Sequence, residues 1–110
     1  MEIKQKEVVR STFYLADIQD VFEYGEATFG EKAALFFYED IRVMVLSLET
    51  QYLLHPECRH LETKTKMYRN IILGSYLITY RIKAHKIEVL RAFHGSRSPK
   101  YIKAIKKITV

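Results

Sequence analysis

The stretch Met67–Pro99, MYRNIILGSYLITYRIKAHKIEVLRAFHGSRSP, decides how the chain folds. It holds three short apolar segments, Met67–Leu73, Tyr76–Lys83 and Lys86–Phe93, parted by Gly74-Ser75 and Ala84-His85. Gly tolerates positive φ, so Gly74-Ser75 suits a two-residue hairpin turn, and Ala84-His85 takes the same place before the third segment. Strands joined this tightly form an antiparallel meander, because parallel neighbours need a crossover of about a dozen residues or more. With the two dipeptides at the turn centres, Arg81 lies opposite Glu88, Tyr80 opposite Val89 and Tyr76 opposite Phe93. Each such cross-strand pair contributes a few tenths to about 1 kcal/mol. One face then carries Met67, Ile71, Leu73, Tyr76, Ile78, Tyr80, Ile82, Ile87, Val89 and Phe93, interrupted by Arg69 and Arg91. The other carries Tyr68, Asn70, Leu77, Thr79, Arg81, Glu88, Leu90 and His94. A face that apolar needs a cover.

The cover stands upstream. Ile3 to Phe13, with Val8 and Val9 among charges, reads as a strand entering the same sheet. From Tyr14 the period becomes helical, with Leu15, Ile18, Val21 or Phe22, Gly25 and Phe29 on one side and Asp17, Asp20 and Glu23 on the other. Gly30 ends this helix of about four turns. A second helix begins at Glu31 with the stripe Ala34, Phe37, Ile41, Met44 or Val45, and Leu48, and His55-Pro56 closes it, because the residue before proline avoids the helical region. So short a connection makes an αα-hairpin whose apolar side packs on the sheet. The Phe and Met in it read as core, with a partner-binding groove as the functional alternative.

The loop Pro56–Lys66 is charged and aperiodic. His55, Cys58 and His60 meet in it, but with no second Cys the spacing is weak for a metal, and we expect no metal and no cofactor. Cys58 is the only cysteine, so no internal disulfide can form. Beyond Phe93, Ser98 and Pro99 suit the N-cap and first position of a helix in which Tyr101 or Ile102, Ile105 and Ile108 recur at helical spacing among Lys100, Lys103, Lys106 and Lys107. The expected architecture is α+β: an N-terminal strand, an αα-hairpin packed on an antiparallel sheet with a three-stranded meander, and a short basic C-terminal helix. With 110 residues, one domain spanning 1–110 accounts for the chain.

Charge is distributed unevenly. Residues 1–63 hold 6 Lys or Arg against 12 Asp or Glu, and residues 64–110 hold 12 against the single acid Glu88, so balances of −6 and +11 make the net +5. Such a surface favours an anionic partner, nucleic acid or an acidic protein segment, although a solvated basic face is the plainer explanation. No stretch has the apolar length of a membrane span, and MEIKQKEVVR lacks the apolar core of a signal peptide. We expect a cytoplasmic protein.

The run YRNIILGSYLITYRIKAHKIEVLRAFHGSRSP resembles the C-terminal half of the RelE/ParE superfamily of toxins from bacterial type II toxin–antitoxin modules. The likeness rests on Tyr68-Arg69, on a strand ending Tyr80-Arg81-Ile82, and on the closing Ile87-Glu88-Val89-Leu90-Arg91 and His94-Gly95 after two helices and a proline-containing loop. It implies a small plasmid-stabilisation toxin neutralised by a cognate antitoxin in a toxin–antitoxin hetero-oligomer. RelE-like members cut messenger RNA on the ribosome, whereas ParE-like members inhibit DNA gyrase. The closing IEVLRAFHGSRSP is similar to the ParE-like branch, and Leu77 stands where a catalytic arginine follows the tyrosine in RelE-like toxins. The resemblance therefore implies a gyrase inhibitor rather than an enzyme, with Arg91, His94, Arg97, Lys100 and Tyr101 as candidate target-binding residues. RNA cleavage needs an acid, a base and cations for the developing phosphorane charge. His94 with Arg69, Arg81, Arg91 and Arg97 would supply them in a ribosome-dependent endoribonuclease. A non-toxic nucleic-acid-binding module is the third reading.

Overall fold

The computed structural model describes residues 3–110. The chain runs β1 (Glu7–Arg10), α1 (Thr12–Phe29), α2 (Glu31–Leu46), the single turn α3 (Leu48–Gln51), β2 (Tyr68–Leu73), β3 (Tyr76–Ile82), β4 (Lys86–His94), α4 (Pro99–Ala104) and a 3₁₀ turn (Ile105–Lys107). The α+β architecture follows the pattern above, with the strand order β1-β4-β3-β2. The meander is antiparallel as its two turns require, and β1 joins β4 in parallel, which makes the four-stranded sheet mixed. The hairpin α1–α2 carries the chain from β1 to the far edge strand β2, and the meander then returns through β3 to place β4 beside β1.

Local chemistry sets the boundaries. The strand expected over Ile3–Phe13 is only four residues long, because the Ser11 hydroxyl accepts from Tyr14 N–H at 2.9 Å and starts α1 at Thr12. That hydroxyl also donates to the Leu90 carbonyl at 2.6 Å, tying the helix start to β4. Gly30, at φ 93°, turns the chain from α1 into α2 while its N–H reaches Glu26 O at 3.1 Å. The second helix does not run to His55. It ends at Leu46, where Ser47 Oγ donates to Met44 O at 2.6 Å, and the turn of α3 follows. Further helix is blocked because Pro56 has no N–H for the Tyr52 carbonyl, which accepts from the Tyr80 hydroxyl at 2.6 Å instead.

The sheet is covered on both faces. Inside, Tyr14, Ile18, Ile41, Val45 and Leu48 pack against Ile71, Ile78, Tyr80, Ile87 and Val89. Outside, a smaller core joins Cys58, Leu61, Tyr68, Leu90 and Phe93 to Ile102 and Ile105 of the C-terminal segment. Burial raises the Cys58 thiol above its ordinary pKa, so this cysteine behaves as a small apolar side chain.

Two of the three expected cross-strand pairs are present, Arg81 with Glu88 and Tyr80 with Val89. Leu90 is then an extra residue in β4, a bulge, and past it Leu77 faces Phe93 and Tyr76 faces His94. Inward and outward positions exchange at the bulge. Phe93, expected under the helices, lies in the outer core, and Ala92 takes the inner position. Met67 also packs outside rather than inside.

Candidate functional site

The exit of β4 and the start of α4 gather the candidate target-binding residues. Ser98 Oγ accepts from Tyr101 N–H at 3.2 Å and Pro99 occupies the first turn, so α4 begins where the sequence places it. That start sets Tyr101 between two guanidinium groups, Arg91 at 5.2 Å and Arg97 at 4.7 Å from its ring centroid. The Phe13 ring also lies against Arg91, with its centroid 5.4 Å from the guanidinium. Cation–π contacts of this kind orient the cations without neutralising them.

The two arginines differ in what else they touch. Arg91 forms a two-point ion pair with Asp17 on α1, Nη2 to Oδ1 at 2.7 Å and Nε to Oδ2 at 2.8 Å, and the hydrogen bonding to Asp17 raises its pKa further. Arg97 is exposed and has no described carboxylate within ion-pair distance. His94 Nδ1 lies 2.8 Å from Ser96 Oγ and 3.1 Å from the Ser96 N–H, which ties the ring to the turn that leaves β4. The ring stands edge-on to Tyr76, centroids 5.8 Å apart. His94, Arg97 and Tyr101 line a cleft of about 210 Å³ together with Asp17 and Asp20. Lys100 is exposed on α4. Burial raises the Tyr101 phenol, so it stays neutral at physiological pH.

The remaining two candidates lie elsewhere. Arg69 donates to the carbonyls of Lys66, Leu53 and His55 at 3.0, 3.2 and 3.0 Å, holding the loop that leaves α3. Arg81 is buried, paired with Glu88 at 2.7 Å and bonded to Tyr68 and the C-terminal carbonyls. Neither joins the cleft that His94 borders. The clustering of Asp17 and Phe13 around Arg91 was not legible in sequence, since 74 positions separate Asp17 from Arg91. Their one signal is the position of Phe13 and Asp17 four residues apart, on one side of a helix.

A second feature opens between the hairpin and the β2–β3 turn. Ile18, Val21, Phe22, Phe37, Ile41 and Tyr76 are among the walls of a groove of about 400 Å³, and Tyr24 and Phe29 stand exposed at its mouth. The helices around it are net acidic: α1 and α2 together hold seven acids and two bases, a net −5. His55, Cys58 and His60 do not form a ligand set, and no group of three His, Cys, Asp or Glu suited to a metal occurs among the described residues.

A mixed four-stranded sheet with a helical hairpin on one face, an apolar groove between that hairpin and the β2–β3 turn, and a basic exit loop defines a small α+β protein. Residues 10–99 match the family model described as the ParE toxin of the type II toxin–antitoxin system, parDE, and the chain belongs to that family. The fold is similar to a solved chain of the chromosomal ParDE toxin–antitoxin system from P. aeruginosa, with a TM-score of 0.67 and 20% identity over 82% of this chain and 96% of that one. No curated protein matches the chain. No helix among the described residues is long and apolar enough to cross a membrane.

Proposed function

We propose that this ParE-family toxin arrests growth by binding and inhibiting DNA gyrase, and that a cognate antitoxin neutralises it. The observation that carries the choice of target is the dispersal of the basic residues. A ribonuclease needs its acid, base and phosphate-holding cations around one phosphate. Here Arg69 is occupied by backbone carbonyls, Arg81 by Glu88 and Arg91 by Asp17, while Leu77 stands where RelE-like toxins have an arginine. What is left at the exit, His94 with Arg97, Lys100 and Tyr101, suits the docking of an acidic protein surface better than phosphoryl chemistry. Action on gyrase places the toxin in the cytoplasm.

The antitoxin has two surfaces to cover. An apolar helix of it fits the groove between α1, α2 and the β2–β3 turn, and an acidic extended portion crosses Arg91, His94 and Arg97. Folding on binding lets such a segment cover a wide surface, and attraction to the +11 half of the chain speeds association more than it tightens the complex. The result is a toxin–antitoxin hetero-oligomer.

One observation favours a second reading, a ribosome-dependent endoribonuclease: His94 and Arg97 share a cleft with Tyr101. Induced expression in a bacterial host, with plasmid supercoiling and message integrity followed in parallel, separates the two. Relaxed plasmid with intact message supports the gyrase reading, and cleaved ribosome-bound message with normal supercoiling overturns it.

A further inference from the structure

The C-terminal segment carries charge out of proportion to its length. Lys100, Lys103, Lys106 and Lys107 fall within the six residues of α4 and the three of the 3₁₀ turn, and all four are exposed. No described carboxylate lies within ion-pair distance of any of them. Lys100 with Lys103, and Lys103 with Lys106 and Lys107, stand three or four positions apart, where like charges disfavour a helix. A helix this short has little stability of its own. Its sequence therefore works against its structure, a conflict expected where a surface is kept for binding.

Two things hold the segment in place. Ile102 and Ile105 are buried in the outer core. The second is Arg81, whose Nη1 donates to Lys106 O at 3.3 Å and whose Nη2 donates to Ile108 O at 2.8 Å. The first lies in the last part of the 3₁₀ turn and the second just past it, where few N–H groups follow to satisfy them. The other donors of the same guanidinium engage Glu88 at 2.7 Å and the Tyr68 hydroxyl at 3.3 Å, which fixes the fork in the sheet. Only a planar, multi-donor group spans all four partners; an ammonium does not.

We infer that Arg81 is a positioning residue that locks residues 99–110 onto the sheet, so that Lys100, Lys103, Lys106 and Lys107 form one rigid surface for an acidic patch of the target protein. The identity of that target rests on the gyrase reading, but the lock does not. Nucleic acid is the less favoured partner, because Asp17 and Asp20 line the cleft beside Tyr101 and α1 continues with Glu23 and Glu26. A duplex laid along the lysines would bring its phosphates towards those carboxylates.

The test uses the full chain as wild type, as Arg81→Lys, and as the triple variant Lys103→Gln/Lys106→Gln/Lys107→Gln. Arg81→Lys keeps a cation beside Glu88, so amides of Ile78 and Tyr80 retain wild-type hydrogen-exchange protection, while those of residues 102–108 exchange at least tenfold faster. The toxin concentration that half-inhibits gyrase rises at least tenfold. The triple variant keeps the exchange pattern and loses inhibition to a similar degree. Unchanged exchange over 102–108 in Arg81→Lys overturns the lock, and Tyr68→Phe, expected to act in the same direction but less, serves if Arg81→Lys does not fold. Growth arrest on induction is scored beside gyrase inhibition, so full toxicity of the triple variant overturns the surface even if the wild type spares gyrase. Salt-sensitive binding of a random duplex that the triple variant loses overturns the choice of a protein partner.

Discussion

Asp17 on α1 and Arg91 on β4 meet in a two-point ion pair, and the same Asp17 Oδ2 accepts from the Ala92 N–H at 3.0 Å. One carboxylate thus fixes the hairpin to the central strand just past the bulge and sets the arginine against Phe13 and Tyr101. Asp17→Ala leaves Arg91 without its partner and an amide unsatisfied. It should lower unfolding stability by roughly 1.5–3 kcal/mol, the range for hydrogen bonds to charged groups. A urea midpoint equal to wild type would show that the pair contributes nothing to stability.

Ser11 performs two tasks, capping α1 and donating to Leu90 O at the bulge. Ser11→Ala should cost about 0.5–2 kcal/mol from the lost cap alone, with no change in the sheet register. Thermal unfolding followed by circular dichroism measures the loss. Ser11→Asp restores the cap acceptor but not the donor to Leu90, so it should recover only part of the stability.

Acid should unfold the protein through Glu88. Burial works against the Glu88 carboxylate, but the Arg81 hydrogen bond and charge, helped by Lys86 at 3.3 Å, hold its pKa below the ordinary 4.5. A carboxyl whose folded pKa is depressed contributes stability that is present above its unfolded pKa and lost as pH falls through the folded one. Stability should hold near neutrality and decline below about pH 4.5, and the double variant Arg81→Leu/Glu88→Leu should show a shallower decline. His55 adds a smaller loss at higher pH, because burial and then Arg69 press its imidazole below the ordinary 6.5, so the unfolded chain takes up that proton first. His55→Gln removes this step, visible as a flatter melting-temperature profile below pH 6.5.

Much of this arrangement is legible in the chain, and the exceptions have physical causes. Arg81 and Glu88 flank a tight turn, so counting outward from Ala84-His85 pairs them correctly. Ser98-Pro99 announces α4 because capping is a local effect. The bulge at Leu90 has no Gly or Pro to mark it, and the single extra residue sends Phe93 to the face opposite the one its alternation indicates. The helix α2 ends nine residues before His55 although a Leu- and Tyr-rich run keeps helical spacing, because Ser47, and the Tyr80 hydroxyl brought from β3, end the helix. The role of Arg81 was equally hidden. In sequence it is one cation among several, and only the fold shows it turned inward to the carbonyls of Lys106 and Ile108.

The apolar groove should matter to the antitoxin more than to folding. Ala33 lines it and is exposed. Ala33→Arg fills the groove with a long charged side chain at a surface helix position, where the change in stability should be within about 0.5 kcal/mol. Antitoxin affinity, read by calorimetry on the purified pair, should fall at least tenfold while growth arrest by the toxin alone is retained. Undiminished affinity would place the antitoxin's apolar contact elsewhere.

The most direct measurement of the central claim is a supercoiling titration with purified toxin, gyrase and relaxed plasmid, run beside a translating ribosome programmed with intact message. The account predicts that supercoiling fails as toxin is added, that Arg97→Glu shifts the titration to higher toxin concentration, and that message length does not change. Supercoiling that proceeds at full rate in toxin excess, from a preparation that arrests growth, contradicts it.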